Sequence, residues 1–225
     1  MISQKQTVVG RALACAIGLA IAGVLTAGVG SLLAQGQAPA PAAQSTTTRL
    51  EIAEGTKMSY RVSEQFVGIN FPSDAVGESQ TVAGTLVIAP DGSINSSLSK
   101  LTVDLRTFKS EQDQRDNYLR TRTFETEKFP QAEFVPRRVQ GLPNPFPTMG
   151  QAGFQLTGDM TIKGVTKEVT WNGVATFTKE QVAGRALMNF TFATFGLTKP
   201  AIGRLLSVDD KIQLELVFRM KVSSS

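Results

Sequence analysis

The sequence predicts an all-β domain whose antiparallel sheet either closes on itself or pairs into a sandwich. Three observations carry this. Apolar and polar residues alternate in about eight separate runs, each giving a strand with one apolar face. No run of long amphipathic helices separates them, so the βαβ rhythm of a parallel sheet is missing. One stretch alone, residues 115–134, breaks the alternation. It opens with helix-favouring residues and then places Phe124, Phe129 and Phe134 five apart, which reads as a short helix and an aromatic-rich loop inserted around residues 111–130.

From the N-terminus, Lys5 and Arg11 precede an uncharged run of 22 residues, 12–33, in the form of a basic region followed by an apolar core. Residues 1–34 are therefore expected to be a signal peptide, with Ala34 or Ala38 as its last residue. The run is also long enough to span a hydrocarbon core of about 30 Å, so an uncleaved membrane anchor is the alternative. Either way the protein is expected to be exported, to a periplasmic or extracellular location. Cys15 lies within this run as a small apolar residue. Residues 35–48 are Ala, Pro, Gln, Ser, Thr and Gly without charge, a flexible linker, and the folded domain is expected over 49–225.

Leu50 and Ile52, then Met58, Tyr60 and Val62, give two short strands on either side of a Glu54-Gly55-Thr56 turn. Residues 72–79 read as loop, and 81–88 as strand ending in the turn chemistry of Pro90-Asp91-Gly92. Leu101, Val103 and Leu105 share the next face. After the insertion, Phe134 and Val135 begin a strand that Pro136 marks as an edge or bulge. Residues 141–150 are a loop, 154–162 a strand and 163–167 a polar turn. Asn172-Gly173 has hairpin chemistry, yet Val169, Trp171, Gly173, Ala175 and Phe177 keep one parity through it, so one bent strand is expected there. The next turn is placed at 178–184. Ala186, Met188, Phe190 and Phe192 then share a face, and the last strand carries Ile212, Leu214, Leu216, Phe218, Met220 and Val222 inward.

Composition narrows the chemistry. There is no histidine and the one cysteine is Cys15, so Ser-His-Asp and Cys-His catalysis, imidazole bases and ordinary zinc sites are excluded. The net charge of +4 falls to +2 once the first 48 residues are set aside, which argues against a nucleic-acid partner. No cofactor or metal is expected. Thirteen phenylalanines against one tryptophan and two tyrosines favour aromatic surface without a polar handle.

Several motifs then agree in order and spacing: Leu105-Arg106-Thr107, Arg115-Asp116-x-x-Leu119-Arg120, Phe124, Phe129-Pro130-x-x-x-Phe134, the run from Gly158 through Lys163-Gly164 to Lys167, and Phe195-Gly196-Leu197. Together, over residues 49–222, they resemble the YceI-like family. The resemblance implies an exported, lipocalin-like, eight-stranded antiparallel barrel whose apolar cavity holds polyisoprenoid chains such as prenyl diphosphates or quinones. Two departures stand out. Tyr118 occupies the place of the family's usual histidine, and Phe192-Ala193-Thr194 that of an Arg-x-Asp before Phe-Gly, which implies a more apolar cavity and places a charged head group in more doubt than a neutral tail.

The expected function is reversible lipid binding without chemistry, for transport or storage. Candidate cavity residues are Tyr60, Phe66, Leu119, Phe124, Phe129, Phe134, Phe154, Trp171, Phe190, Phe192 and Phe195, each of which also suits plain core packing. Arg115 and Arg122 are candidate head-group contacts, with an internal Arg115–carboxylate pair as the competing expectation. Asp209-Asp210 reads as a solvated turn. An isoprenoid or other long-chain lipid is the expected partner, with membrane contact through the N-terminal segment; the oligomeric state is open. The alternatives are an envelope scaffold or partner-binding domain with a filled core, and a hydrolase or isomerase, which requires inward carboxylates where the strand faces put charge outward.

Overall fold

The computed structural model describes residues 46–201, 203 and 205–224. The expected signal or anchor, Cys15 and most of the linker lie outside these residues. Among the described residues no helix is long and apolar enough to cross a membrane.

Among the described residues eleven antiparallel strands follow one another: β1 (Thr48–Ile52), β2 (Lys57–Phe66), β3 (Ser73–Ser79), β4 (Val82–Ile88), β5 (Lys100–Asp104), β6 (Lys109–Ser110), β7 (Gln131–Gln140), β8 (Gly150–Ile162), β9 (Val165–Phe177), β10 (Gln181–Thr191) and β11 (Leu205–Ser224). They make eight staves, because three pairs run end to end. β11 meets β10 along one edge, and along the other it meets β2 and then β1. β1 and β2 are thus one stave with a break, as are β3 with β4 and β5 with β6. Pairing of β1 with β11 closes the eight-stave barrel and leaves no long unpaired edge there.

The breaks are bridged by side chains. Between β1 and β2 the Thr56 hydroxyl donates to Arg219 O at 3.0 Å and accepts from Arg219 N at 3.0 Å, standing in for the missing ladder bonds. Between β3 and β4 the hydroxyls of Ser79 and Thr107 meet at 2.7 Å. The β1–β2 stave keeps its alternation across its break, whereas β3 (Ala75, Gly77, Ser79) and β4 (Val82, Leu86, Ile88) change parity across theirs, so that break resets which positions face inward.

The insertion between β6 and β7 is α1 (Asp113–Tyr118) continued by a π-helical turn at Leu119–Thr123. It closes one end of the barrel together with the 3₁₀ turn Phe192–Phe195 that follows β10. Thr123 Oγ1 donates to Thr198 O at 3.1 Å and ties the two covers together.

Four sequence expectations are corrected. Residues 72–79 are strand, not loop, over Ser73–Ser79: the inward positions are Ala75, Gly77 and Ser79, too small to register as an apolar face. A side chain at Gly77 is replaced by the ring of Tyr60, since a Cβ there would fall 2.3 Å from Tyr60 Cε1. Leu105 faces inward from a 3₁₀ turn rather than from the strand. The turn expected at 163–167 is two residues, Lys163 and Gly164, both at positive φ (50° and 76°), which matches the twist of the flanking strands. The turn at 178–184 ends sooner, because Thr178 Oγ1 accepts from Gln181 N and its backbone N–H donates to Gln181 O, so β10 starts at Gln181. The bulge at Pro136 and the unbroken strand through Asn172-Gly173 are as expected; at Gly173 a Cβ would fall 2.5 Å from the Phe154 ring.

Candidate functional site

Because alternate residues of every stave point inward, the barrel interior is built from Leu, Met, Ala, Val and aromatic side chains. They leave two adjoining chambers. The upper one, about 100 Å³, is enclosed by sheet and by Leu142 and Phe146 of the β7–β8 loop. Its aromatic wall is Phe134, Phe154, Trp171 and Phe177; Phe134 meets Trp171 edge-on at 6.4 Å and Phe154 meets Phe218 at 6.0 Å. Thr102 and Glu133 are its polar border, and Glu133 is paired with Lys100 at 2.8 Å.

The lower chamber, about 60 Å³, lies between β2, β10 and β11 and the helical insertion. Tyr60, Leu119, Phe124, Phe190 and Phe192 line it. Met58, Val103, Ala132 and Met160 line both chambers and form the waist between them. Two of those four are methionines, whose unbranched side chains reshape most readily.

One polar cluster borders the lower chamber. Arg115 on α1 is 5% exposed and Glu64 on β2 is 3% exposed. They form a forked pair, Nε to Oε1 at 3.2 Å and Nη2 to Oε2 at 2.7 Å. Arg115 Nη1 continues to Glu111 Oε1 at 2.6 Å and Ser110 Oγ at 3.3 Å. Asp116 accepts from the Ser110 hydroxyl at 2.7 Å and from its backbone N–H at 3.0 Å, locking the start of the insertion to β6. Burial works against the Arg115 charge, but its hydrogen bonds to Glu64 and Glu111 outweigh it and hold the pKa above the usual arginine value. For Glu111, burial pushes the carboxyl up and the Arg115 hydrogen bond pulls it further down, below the ordinary glutamate range.

Tyr60 is the anomaly of this region. Its ring lies 5.7 Å from that of Phe108, and its buried hydroxyl has no hydrogen-bond partner among the described residues, the nearby Ser110 being engaged with Asp116. Burial raises the Tyr60 pKa strongly.

The eleven candidate cavity residues therefore divide. Eight line a chamber: Phe134, Phe154 and Trp171 the upper one, Tyr60, Leu119, Phe124, Phe190 and Phe192 the lower. Three do not. Phe195 is fully buried behind Phe190, 5.1 Å away edge-on. Phe129 covers Gly164 in the β8–β9 hairpin, where a Cβ would meet its ring at 3.1 Å; there Glu125 also holds Lys163 at 2.7 Å. Phe66 ends β2 opposite Leu205. Arg115 is engaged internally, and Arg122 is exposed on the π-helical turn. Tyr118, in the place of the family's histidine, donates from its hydroxyl to Lys199 O at 3.4 Å.

The expectation that all strand charge faces outward is overturned by Glu64, which shares the inward parity of Met58, Tyr60 and Val62. That parity was the available signal. Among the described residues no group of three or more His, Cys, Asp or Glu side chains has the arrangement of a metal site.

The YceI-like domain model matches residues 51–220. The chain belongs to the YceI-like family. Two UPF0312 proteins of Pseudomonas putida, from strains W619 and GB-1, are each 36% identical to it over 85 residues. That match covers 36% of this chain and spans 40% of the length of those relatives. Among solved structures, a polyisoprenoid-binding domain from Saccharophagus degradans implicated in plant cell wall breakdown superposes with a TM-score of 0.60 at 13% identity, covering 78% of this chain and 98% of that one. BcnA of Burkholderia cenocepacia gives 0.54 at 18%, over 76% and 99%. A YCEI protein of Campylobacter jejuni gives 0.51 at 18%, over 70% and 92%. At these identities the likeness is one of fold: this YceI-like barrel and theirs share a chain path.

Proposed function

We propose that this YceI-like protein is an exported lipid carrier that holds a polyisoprenoid or similar long-chain amphiphile along its two chambers and performs no chemistry on it. The observation that carries the reading is the pair of adjoining apolar chambers separated by a waist of four small or flexible side chains. A tail laid through both leaves water along its whole length. At about 0.8 kcal/mol per buried methylene, each five-carbon isoprene unit contributes roughly 4 kcal/mol before ordering costs. The chambers are narrow, so entry of a tail requires Met58 and Met160 to swing aside, which their side chains allow. Kinship with the Saccharophagus degradans polyisoprenoid-binding domain in fold supports the same ligand class.

The head group is the finer question. Arg115, the buried cation of the lower chamber, already has Glu64 and Glu111 as partners. A diphosphate would have to displace a buried forked pair, whereas a quinone-like or other neutral head leaves it intact. The reading therefore favours a neutral head. Glu64, bound to Arg115 through both oxygens, is no free base, which supports binding without catalysis.

The test is native mass spectrometry of the full chain purified from an expressing envelope without detergent, followed by solvent extraction of whatever it carries. A stoichiometric prenyl lipid is expected, and in uptake assays a prenyl quinone should compete out a prenyl diphosphate of equal tail length. A protein that carries nothing and takes up neither would transfer the assignment to the filled-core, partner-binding alternative.

A further inference from the structure

The hairpin joining β2 to β3 carries an apolar tip that the carrier reading does not use. From Phe66 to Ser73 the chain has no charge, and Val67, Ile69 and Phe71 are 50%, 56% and 79% exposed. Leu206 follows Leu205, which pairs with Phe66 at the base of the tip, and is 66% exposed. The tip is a built turn. Ile69 N–H donates to Phe66 O at 3.2 Å, Gln65 Nε2 donates to Ile69 O, and Gly68 takes the positive φ of 81° that the reversal needs. The stem is held by an Arg61–Asp74 pair at 2.7 Å. Alternate residues of an ordered turn thus hold their apolar side chains in water, where each carries a hydration cost.

Position gives the tip its meaning. Val62 and Glu64 line the lower chamber, and Phe66 is the next inward residue of the same strand, so the tip begins where that chamber ends. We infer that this hairpin tip, with Leu206, is a wedge that enters the apolar surface of a lipid bilayer and sets the lower chamber against it. The inference rests on the carrier reading for its purpose, since a tail that lives in a bilayer must leave it at one end of the barrel. Shape and size favour a bilayer over a protein. The patch is a projection and not a groove, and four such side chains expose on the order of 400 Å², about half of the ~800 Å² per partner of a stable protein interface. It has no charge of its own to select a headgroup, so neutral phosphatidylcholine should be enough.

The experiment uses the full chain carrying Phe71→Trp, mixed with phosphatidylcholine vesicles containing lipid brominated along the acyl chain. Bromine quenches only an indole that enters the acyl region, so an N-terminal apolar segment binding the same vesicles does not imitate the signal; Trp171, buried in the upper chamber, gives the constant background. Quenching of the added tryptophan is expected, with loss of it on adding Ile69→Asp, and the same Ile69→Asp change should slow transfer of a prenyl quinone out of vesicles about tenfold. Uptake of that quinone from dilute ethanol should be unchanged in Ile69→Asp. An unquenched tryptophan, or a transfer rate indifferent to Ile69→Asp, overturns the inference. So does self-association in sedimentation that Ile69→Asp abolishes in the absence of quenching, which would give the patch to a second copy. If wild type takes up no quinone even from ethanol, the carrier reading fails by itself, and the quenching still decides whether the tip enters a bilayer.

Discussion

The two chambers sit in one barrel and are held open by different physics. The upper chamber is walled by sheet alone apart from Leu142 and Phe146, and its shape follows from the register of strands such as β8 and β9, paired without a slip from Gly150–Phe177 to Ile162–Val165. The lower chamber is also mostly sheet, but Arg115, Leu119, Thr123 and Phe124 of the helical insertion cap it, and that insertion is fastened to the sheet by polar contacts, the buried Arg115–Glu64 pair and the Asp116–Ser110 hydrogen bonds. The upper chamber is thus a consequence of the hydrophobic pattern, whereas the lower depends on a few polar atoms placed correctly. Buried pairs of this kind add little net stability but are expensive to break.

Breaking one partner is accordingly the largest effect expected. Glu64→Leu leaves the Arg115 guanidinium in an apolar wall with Glu111 as its remaining carboxylate, and should cost about 3 kcal/mol in urea unfolding. That is the low end of the range for such losses, because Glu111 keeps one side of the guanidinium satisfied. The double variant Glu64→Leu/Arg115→Met should recover most of it. If the single variant costs under about 1 kcal/mol, the insertion is held by packing and the contrast between the chambers fails.

A second variant probes the sheet side of the same chamber. At Gly77 a Cβ would lie 2.3 Å from Tyr60 Cε1 and 2.7 Å from its hydroxyl, and a ring packed against Phe108 has little room to retreat. Gly77→Ala should cost about 2 kcal/mol, and adding Tyr60→Leu should relieve much of the strain. The measurement is the shift in thermal midpoint of each variant and of the pair.

The same glycine explains what could not be read in advance. β3 was hidden because its inward row is Ala75, Gly77 and Ser79, small residues chosen for a ring that arrives from β2; alternation in one strand cannot reveal the volume supplied by its neighbour. The remaining staves are legible because each presents Leu, Ile, Val, Met, Trp or Phe at enough of its inward positions to mark the face, even where Ala or Gly intervenes. The site was less legible. Phe134 and Phe154 face a chamber while Phe129 covers a hairpin, and nothing in their local sequence separates them. Met58, Met160 and Ala132 at the waist look like any core residue, since a cavity is defined by what is missing between side chains on different staves. Glu64 is marked by parity alone, against the rarity of a carboxylate at an inward position.

Ligand content gives the next, smaller effect and tests the upper chamber alone. Ala186 lines it and not the lower one. Ala186→Phe places a ring in that space, and lipid retained through purification should fall about tenfold, equivalent to ~1.4 kcal/mol of binding, with the unfolding midpoint unchanged or slightly raised. Retention at the wild-type level, measured by native mass spectrometry, would put the tail elsewhere.

The smallest expected change concerns the Tyr60 hydroxyl, buried in the wall of the lower chamber without a partner among the described residues. An unpaired buried hydroxyl is a net cost, so Tyr60→Phe should stabilise the barrel by about 1 kcal/mol near neutral pH, keeping the ring that fills the space over Gly77. Titration sharpens this. Burial raises the folded-state pKa of Tyr60 above that of an exposed tyrosine. In the unfolded chain the phenol ionises near pH 10 while in the barrel it stays neutral, so the unfolded state gains free energy from ionisation that the folded state does not. Titration of this group therefore leaves wild-type stability constant below about pH 10 and lowers it as pH rises through the interval up to the folded pKa, whereas the phenylalanine variant lacks that loss. The gap between the two proteins in urea midpoint should widen steadily above about pH 10. A constant gap across that interval would mean that the hydroxyl ionises in the barrel as it does in the unfolded chain, and that the lower chamber is wetter at Tyr60 than its walls imply.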